Sequence, residues 1–240
     1  MLFILKMAET LKTGDIILFN DEPKCGSILV VLDWAIRWWT GSPYSHAGLV
    51  VVNPPWPGRK KGEIEPWSCR KKDEIEYKKG EKNYLEGTYI WDSSYHNHKD
   101  PQDGRIKFGI ALVPIGQYIN DANEKHQKLY KRSPKSPETY KSCWTPEKIQ
   151  KIHCKVYGKP YDKNLSDWWA GMWHILIPRT VDRFWCSAFV AYALREVGVL
   201  KQDTNWTVVS PADLSSKTTN PYMRGRWEHA YSKDELFSEF

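Results

Sequence analysis

The order of apolar runs predicts an α+β protein built on a small, mainly antiparallel sheet flanked by helices. Four short apolar or β-prone runs, at 16–19, 46–52, 88–92 and 108–114, all precede residue 120 and follow mostly in meander order. Over 27–40 and 186–197, apolar residues instead recur at threes and fours, the period of a helix with one buried face. The 240 residues are 41% hydrophobic and include 13 Trp and 13 Tyr, enough for a real core with large aromatic rings in it. One domain over 1–240 is expected, with insertions at 53–86, 120–145 and 163–182.

Each element has a local reason. Gly14-Asp15 make a turn before the apolar run Ile16–Phe19. In the first helix Ile28, Val31, Leu32, Ala35 and Trp39 fall on one side, with Ser27 as N-cap and Gly41 as stop. Pro43 then forces an extended path into the strand His46–Val52. Residues 53–86 are Pro-rich and then charge-rich, and read as a surface loop or hairpin. Thr88–Asp92 is β-prone and is followed by a polar turn, then by the buried strand Phe108–Pro114. Residues 120–145 are polar and read as a linker or exposed loop. A helix over Pro146–Tyr157 is capped by Thr145, and a turn follows at 158–162. The last helix, Cys186–Val197, ends at Gly198, and Ser210–Leu214 opens another helical turn.

The formal net charge is +6, concentrated in lysine-rich stretches at 59–82 and 125–159. That pattern is solvated surface, with at most a weak attraction to anionic membranes or nucleic acid. No nucleic-acid reading motif accompanies it. No run is long enough to span a bilayer, and the first residues lack a cleavage site, so an intracellular protein is expected. The cysteines at 25, 69, 143, 154 and 186 are odd in number and lack C-x-x-C spacing, which argues against a disulfide framework or zinc ribbon. His96 and His98 near Asp100, and Cys143, His153 and Cys154, lack a further ligand at metal spacing, so no metal and no cofactor is expected. The Trp pairs at 38–39 and 168–169 read as core or groove wall, with a lipid-facing role as the alternative.

The chemistry lies in three other places. A cysteine nucleophile needs a base to take its proton, and the fold can bring the two together from distant sequence. Cys186 opens an apolar helix, where the macrodipole and free N–H groups favour thiolate. The same N–H groups can face an oxyanion, a contribution of about 3–4 kcal/mol per donor in enzymes where one was removed. His46 begins one strand and Asp92 ends another. If those strands are antiparallel neighbours, Asp92 accepts the imidazole N–H and fixes its tautomer. A cysteine in an apolar helix is more often an inert packed thiol, and a strand-end aspartate often caps a turn. It is their joint presence that points to catalysis. Ser187 is read as helping to cap the helix.

These residues sit in a longer series: Gly14–Phe19, then Ile36–Val50 with its Ser-Pro-Tyr-Ser-His-Ala-Gly, then Trp91-Asp92, Gly158–Asp162, Phe184–Val190 and Ser210–Leu214. In content and order the series resembles the circularly permuted NlpC/P60 family, a papain-like group with members in bacteria and in large DNA viruses, poxviruses included. The resemblance spans residues 10–215 and implies a Cys–His–polar site, with His46 preceding Cys186, the reverse of papain. It makes Cys186 the nucleophile, His46 the base, Asp92 the third member and Tyr161 an oxyanion or substrate-positioning group. Permuted relatives often carry glutamate where this chain has Asp92.

The resemblance implies a thiol hydrolase, a thiol protease or an acyltransferase, acting on peptide amides, isopeptides, cell-wall peptides or lipid acyl groups. Aromatic richness and the expected intracellular setting favour a protein or lipid substrate over peptidoglycan, in a host cytoplasm or a virion if the source is viral. A rival reading keeps the fold as a structural or binding protein, such as a virion component, with a vestigial site. Substrate, acceptor and oligomeric state are not written in the sequence.

Overall fold

The computed structural model describes residues 8–20, 42–55, 84–162, 181–218, 220, 223 and 231–238. The first half supplies strands β1 (Ile16–Asn20), β2 (Tyr44–Val52), β3 (Thr88–Lys99) and β4 (Ile106–Pro114). Helix α1 (Ile115–Glu124), strand β5 (Lys128–Arg132) and helices α2 (Pro137–Cys143) and α3 (Pro146–Val156) follow. Helix α4 (Cys186–Val197), two 3-10 turns (Trp206–Val208 and Ala212–Leu214) and strand β6 (Glu235–Ser238) complete the described chain. The strands form one six-stranded sheet in the order β4-β3-β2-β1-β5-β6. Every neighbouring pair is antiparallel.

Both faces of the sheet are covered, so its central strands read as unbroken apolar runs rather than alternating ones. Side chains along a strand alternate between faces. Ile16, Leu18, Ala47, Leu49, Trp91 and Leu112 face α3 and α4, joining Ile149, Ile152, Phe189 and Val190 in one core. Ile17, Phe19, Val50, Ile90 and Val113 face the other way and pack with Ile115, Tyr118, Ile119 and Ala122 of α1. Helix α1 is a correction to the sequence reading, which ran from a strand into a linker. Its buried positions keep helical spacing along the chain.

The expected linker at 120–145 is also corrected, because it holds the end of α1, all of β5 and α2. Strand β5 pairs with β1 from Ile16↔Arg132 to Asn20↔Lys128. A polar strand of this kind gains its stability from backbone pairing that no side-chain pattern announces. The lysine-rich stretch 125–159 is thus mostly regular structure, not surface loop. The turn expected after Asp92 is strand as well: β3 runs on to Lys99, paired with β4 through Tyr95↔Phe108. By contrast, α4 has the bounds read from sequence, and Gly198 ends it with φ +92°. Thr145 caps α3, its side chain accepting from the Lys148 N–H. The expected helix at 27–40 and most of the insertions at 53–86 and 163–182 lie outside the described residues.

The ladder between β2 and β3 covers only Leu49↔Trp91 to Val52↔Thr88. On either side pairing continues, β1 with β2 to Asn20↔Tyr44 and β3 with β4 past Asp92. The sheet therefore divides between β2 and β3 just beyond Leu49 and Trp91. Two buried polar clusters brace the halves. On one side the Arg132 guanidinium donates to Leu214 O (2.6 Å) and Ser232 O (2.9 Å) and pairs with Asp234 at 3.5 Å. Asp234 also accepts from the Tyr44 hydroxyl at 2.9 Å, which anchors the start of β2.

On the other side the β3–β4 connection is tied to α3. Asp100 accepts from Lys107 Nζ (2.6 Å) and Gln102 Nε2 (3.0 Å), and the Gln102 carbonyl oxygen meets His153 Nε2. Nε2 must carry the proton for that bond to form. Burial, with the Lys107 charge adding to it, pushes His153 down to about 3. The unfolded histidine titrates near 6.5, so below that pH the unfolded state gains a proton that the folded state refuses. This contribution is complete above pH ~6.5 and falls as pH drops toward 3. Urea unfolding of wild type and His153→Gln at pH 7 and pH 5 should show wild type losing on the order of 2 kcal/mol more than the variant. Parallel losses would remove His153 as the cause.

Candidate active site

The site starts from strand parity. His46 shares the α1-facing side of β2 with Gly48 and Val50, and Asp92 shares the same side of β3 with Ile90. The end of the β2–β3 ladder leaves His46 and Asp92 at the opening of the sheet. There His46 Nε2 meets Asp92 Oδ2 at 2.7 Å. Asp92 is wholly buried, whereas the His46 side chain keeps 21% of its exposure. A buried carboxylate needs donors, and the same Oδ2 also accepts from the Tyr118 hydroxyl (2.6 Å) and Ser94 Oγ (3.2 Å). Phe19, cross-strand partner of His46, sets its ring edge-on to His46 at 5.1 Å and to Tyr118 at 5.0 Å.

Cys186 arrives from the other face. It is the first residue of α4, preceded by Trp185 in extended conformation. It is buried at 7% exposure. Its approach is fixed by Ser93, which points to the opposite face from Asp92 and donates to Phe184 O at 2.6 Å. Phe184 N–H donates in turn to Pro160 O, and Asp162 N–H donates to Phe184 O. Adjacent residues of β3 thus hold the two arms, Asp92 the histidine and Ser93 the chain leading to the cysteine. Ser187 does not cap the helix. Its Oγ donates to Val209 O at 2.7 Å, because a backbone acceptor from the following segment lies beside it.

Electrostatics agree with this geometry. Burial opposes the His46 imidazolium, but the Cys186 charge, hydrogen bonds to Asp92 and Cys186, and the Asp92 charge together hold its pKa well above the ordinary value. Burial raises Tyr118 far above the ordinary phenol range, and the Asp92 charge and hydrogen bond add to the effect. Tyr118 is therefore a permanent donor to Asp92. With Nε2–H turned to Asp92, Nδ1 is the ring nitrogen left to exchange a proton with Cys186. The arrangement can activate a thiol, store its proton and stabilise the resulting imidazolium.

Of the four residues singled out in the sequence, Asp92 and Cys186 both act on the His46 ring. Tyr161, the fourth, stacks on Phe108 with centroids 5.0 Å apart and planes 11° apart. It forms a parallel bridge with Phe184, the residue that Ser93 anchors. It thus flanks the chain leading to Cys186. Tyr118 is the residue that sequence reading missed. The spacing of Ile115, Tyr118, Ile119 and Ala122 was the available signal, marking a tyrosine on an otherwise apolar helix face. His98 Nε2 meets Asp121 Oδ2 and Oδ1 at 2.9 and 3.0 Å. Among the described residues no cluster of three or more His, Cys, Asp or Glu could hold a metal ion. Among the same residues no helix is long and apolar enough to cross a membrane.

Fold and site define a mixed α/β protein whose divided antiparallel sheet gathers a helix-start cysteine, a strand histidine and a buried aspartate. No family model matches this chain, and no curated protein matches it.

The raised His46 pKa has a measurable sign. Below the unfolded value of about 6.5 its stabilisation is complete, and it is lost as pH rises through the folded midpoint. An NMR titration of His46 should give a midpoint above 6.5 that falls in both Asp92→Asn and Cys186→Ala. A midpoint unmoved by either change would mean that neither group acts on the ring.

Proposed function

We propose that this chain is a thiol hydrolase or acyltransferase of the permuted NlpC/P60, papain-like type, acting on an amide or ester carbonyl. The observation that carries the reading is the His46 Nε2–Asp92 Oδ2 bond of 2.7 Å, with Cys186 close enough to act on the same ring. This is the arrangement that a cysteine nucleophile requires. The order of motifs from Gly14 to Leu214 supports the same reading, as does the antiparallel sheet with α4 packed on one face.

In the proposed reaction the Cys186 proton passes to His46 Nδ1 and the thiolate attacks the carbonyl carbon. The tetrahedral oxyanion faces the free N–H groups of the first turn of α4. As it collapses, the carbon–nitrogen or carbon–oxygen bond breaks and the leaving group takes the proton from His46. A thioester now joins the acyl group to Cys186. Water, or an acceptor hydroxyl or amine, gives its proton to His46 and attacks the thioester. The acid, ester or amide departs, and the sulfur recovers the proton. Asp92 stays ionised throughout and steadies the imidazolium.

The test needs no substrate. Peptide-resolved mass spectrometry gives the rate of iodoacetamide alkylation at Cys186 in wild type, His46→Ala and Asp92→Asn. His46→Ala should slow the reaction by about tenfold or more, since one pKa unit of lost interaction corresponds to a factor of ten. Asp92→Asn should lie between it and wild type. A Cys186 thiol that reacts at the same rate without His46 would overturn the proposal and leave a papain-like fold without its chemistry.

A further inference from the structure

Helix α1 presents Ile115, Ile119 and Ala122 to the sheet, and in their midst stands Tyr118 at 3% exposure. A phenylalanine would fill that position as well. The hydroxyl loses its hydration on burial and must find partners in the protein. The partners within reach are the groups proposed to activate Cys186: Asp92 Oδ2 at 2.6 Å and His46 Nε2 at 3.0 Å.

Strand β2 leaves room where they meet. A Cβ on Gly48 would lie 2.5 Å from Ile90 Cγ2, 3.4 Å from the Tyr118 hydroxyl and 3.5 Å from Asp92 Cβ. The tight contact is with Ile90, while the Tyr118 hydroxyl and Asp92 stand at ordinary van der Waals distance from that point.

Proton bookkeeping gives the hydroxyl a direction. It has one hydrogen, and the bond to an ionised carboxylate is both the shorter and the stronger of its two contacts. Its lone pairs then face Nε2, which suits a protonated Nε2 and opposes a bare one. A ring with Nε2 unprotonated would also set its lone pair against Asp92 Oδ2, which is 2.7 Å away. Both neighbours therefore select the tautomer that leaves Nδ1 for the thiol.

We infer that Tyr118 is a positioning residue of the thiol chemistry, holding Asp92 and His46 so that the imidazole keeps its proton on Nε2 and offers Nδ1 to Cys186. The inference rests on the function proposed above. Tyr118 touches no substrate and transfers no proton. It acts through His46.

The test has two readouts in the full chain. The first is iodoacetamide alkylation of Cys186 in wild type, His46→Ala and Tyr118→Phe. The second is the ¹⁵N spectrum of neutral His46 in a Cys186→Ala background, with and without Tyr118→Phe. Tyr118→Phe should slow alkylation by about tenfold, the factor that corresponds to the loss of one hydrogen bond to a charged group. It should also turn a single Nε2–H tautomer into a mixture.

A tyrosine that merely packs would change thermal stability and leave the tautomer alone. Alkylation that depends on His46 but not on Tyr118, with the tautomer unmixed, overturns this inference and leaves the proposed function standing. Alkylation indifferent to His46 overturns the proposed function itself. If Tyr118→Phe does not fold, 3-fluorotyrosine placed at 118 alone keeps the shape and makes the hydroxyl more acidic. The inference then requires a shifted His46 Nε2 resonance, and an unchanged one overturns it.

Discussion

The carboxylate of Asp92 is the group on which the site depends. One oxygen, buried in the sheet, draws in the His46 ring, the Tyr118 hydroxyl and Ser94 Oγ. Removing any donor would leave more of a buried charge uncompensated, so the three reinforce one another. Because Asp92 belongs to β3, its demand for donors also fixes how α1 sits on the sheet and how the β2 histidine is turned.

Placement at the division of the sheet follows from the same requirement. A continuous ladder would wall off groups on one face of the sheet from those on the other. Where the β2–β3 pairing stops at Leu49↔Trp91, the strands part and leave space for groups from either layer. Histidine and tyrosine come from the α1 side, and the cysteine comes from the α4 side. Ser93, one residue along β3, completes the device by fixing the Phe184 carbonyl at 2.6 Å. Alternation of side chains along one strand thus sets the relation between Cys186 and His46.

Rigidity comes from farther away. Arg132 and Asp234 tie β5 and the C-terminal segment to Tyr44, at the start of the strand that carries His46. Asp100, Gln102 and His153 tie the β3–β4 connection to α3. Gly109 lets the chain at 159–160 press against β4, where a Cβ would lie 2.3 Å from Lys159 O. The two side-chain clamps join segments distant in sequence, and both are built from polar groups that would be costly to bury alone.

By itself the sequence determined the apolar cores of β1 and β2 and the bounds of α4, and it singled out Cys186, His46 and Asp92 as candidates. These follow from local rules: apolar runs, capping residues and the residue types a thiol mechanism needs. Tertiary structure alone decided that β5 is a strand, that β3 continues past Asp92, that Ser187 bonds to Val209 and that Tyr118 belongs to the site. Strand β5 owes its conformation to backbone pairing with β1, which polar side chains do not reveal. Tyr118 is set apart from an ordinary core tyrosine only by a carboxylate and an imidazole from other strands. Such dependence on partners far along the chain is settled when the layers pack, and no window of sequence contains it.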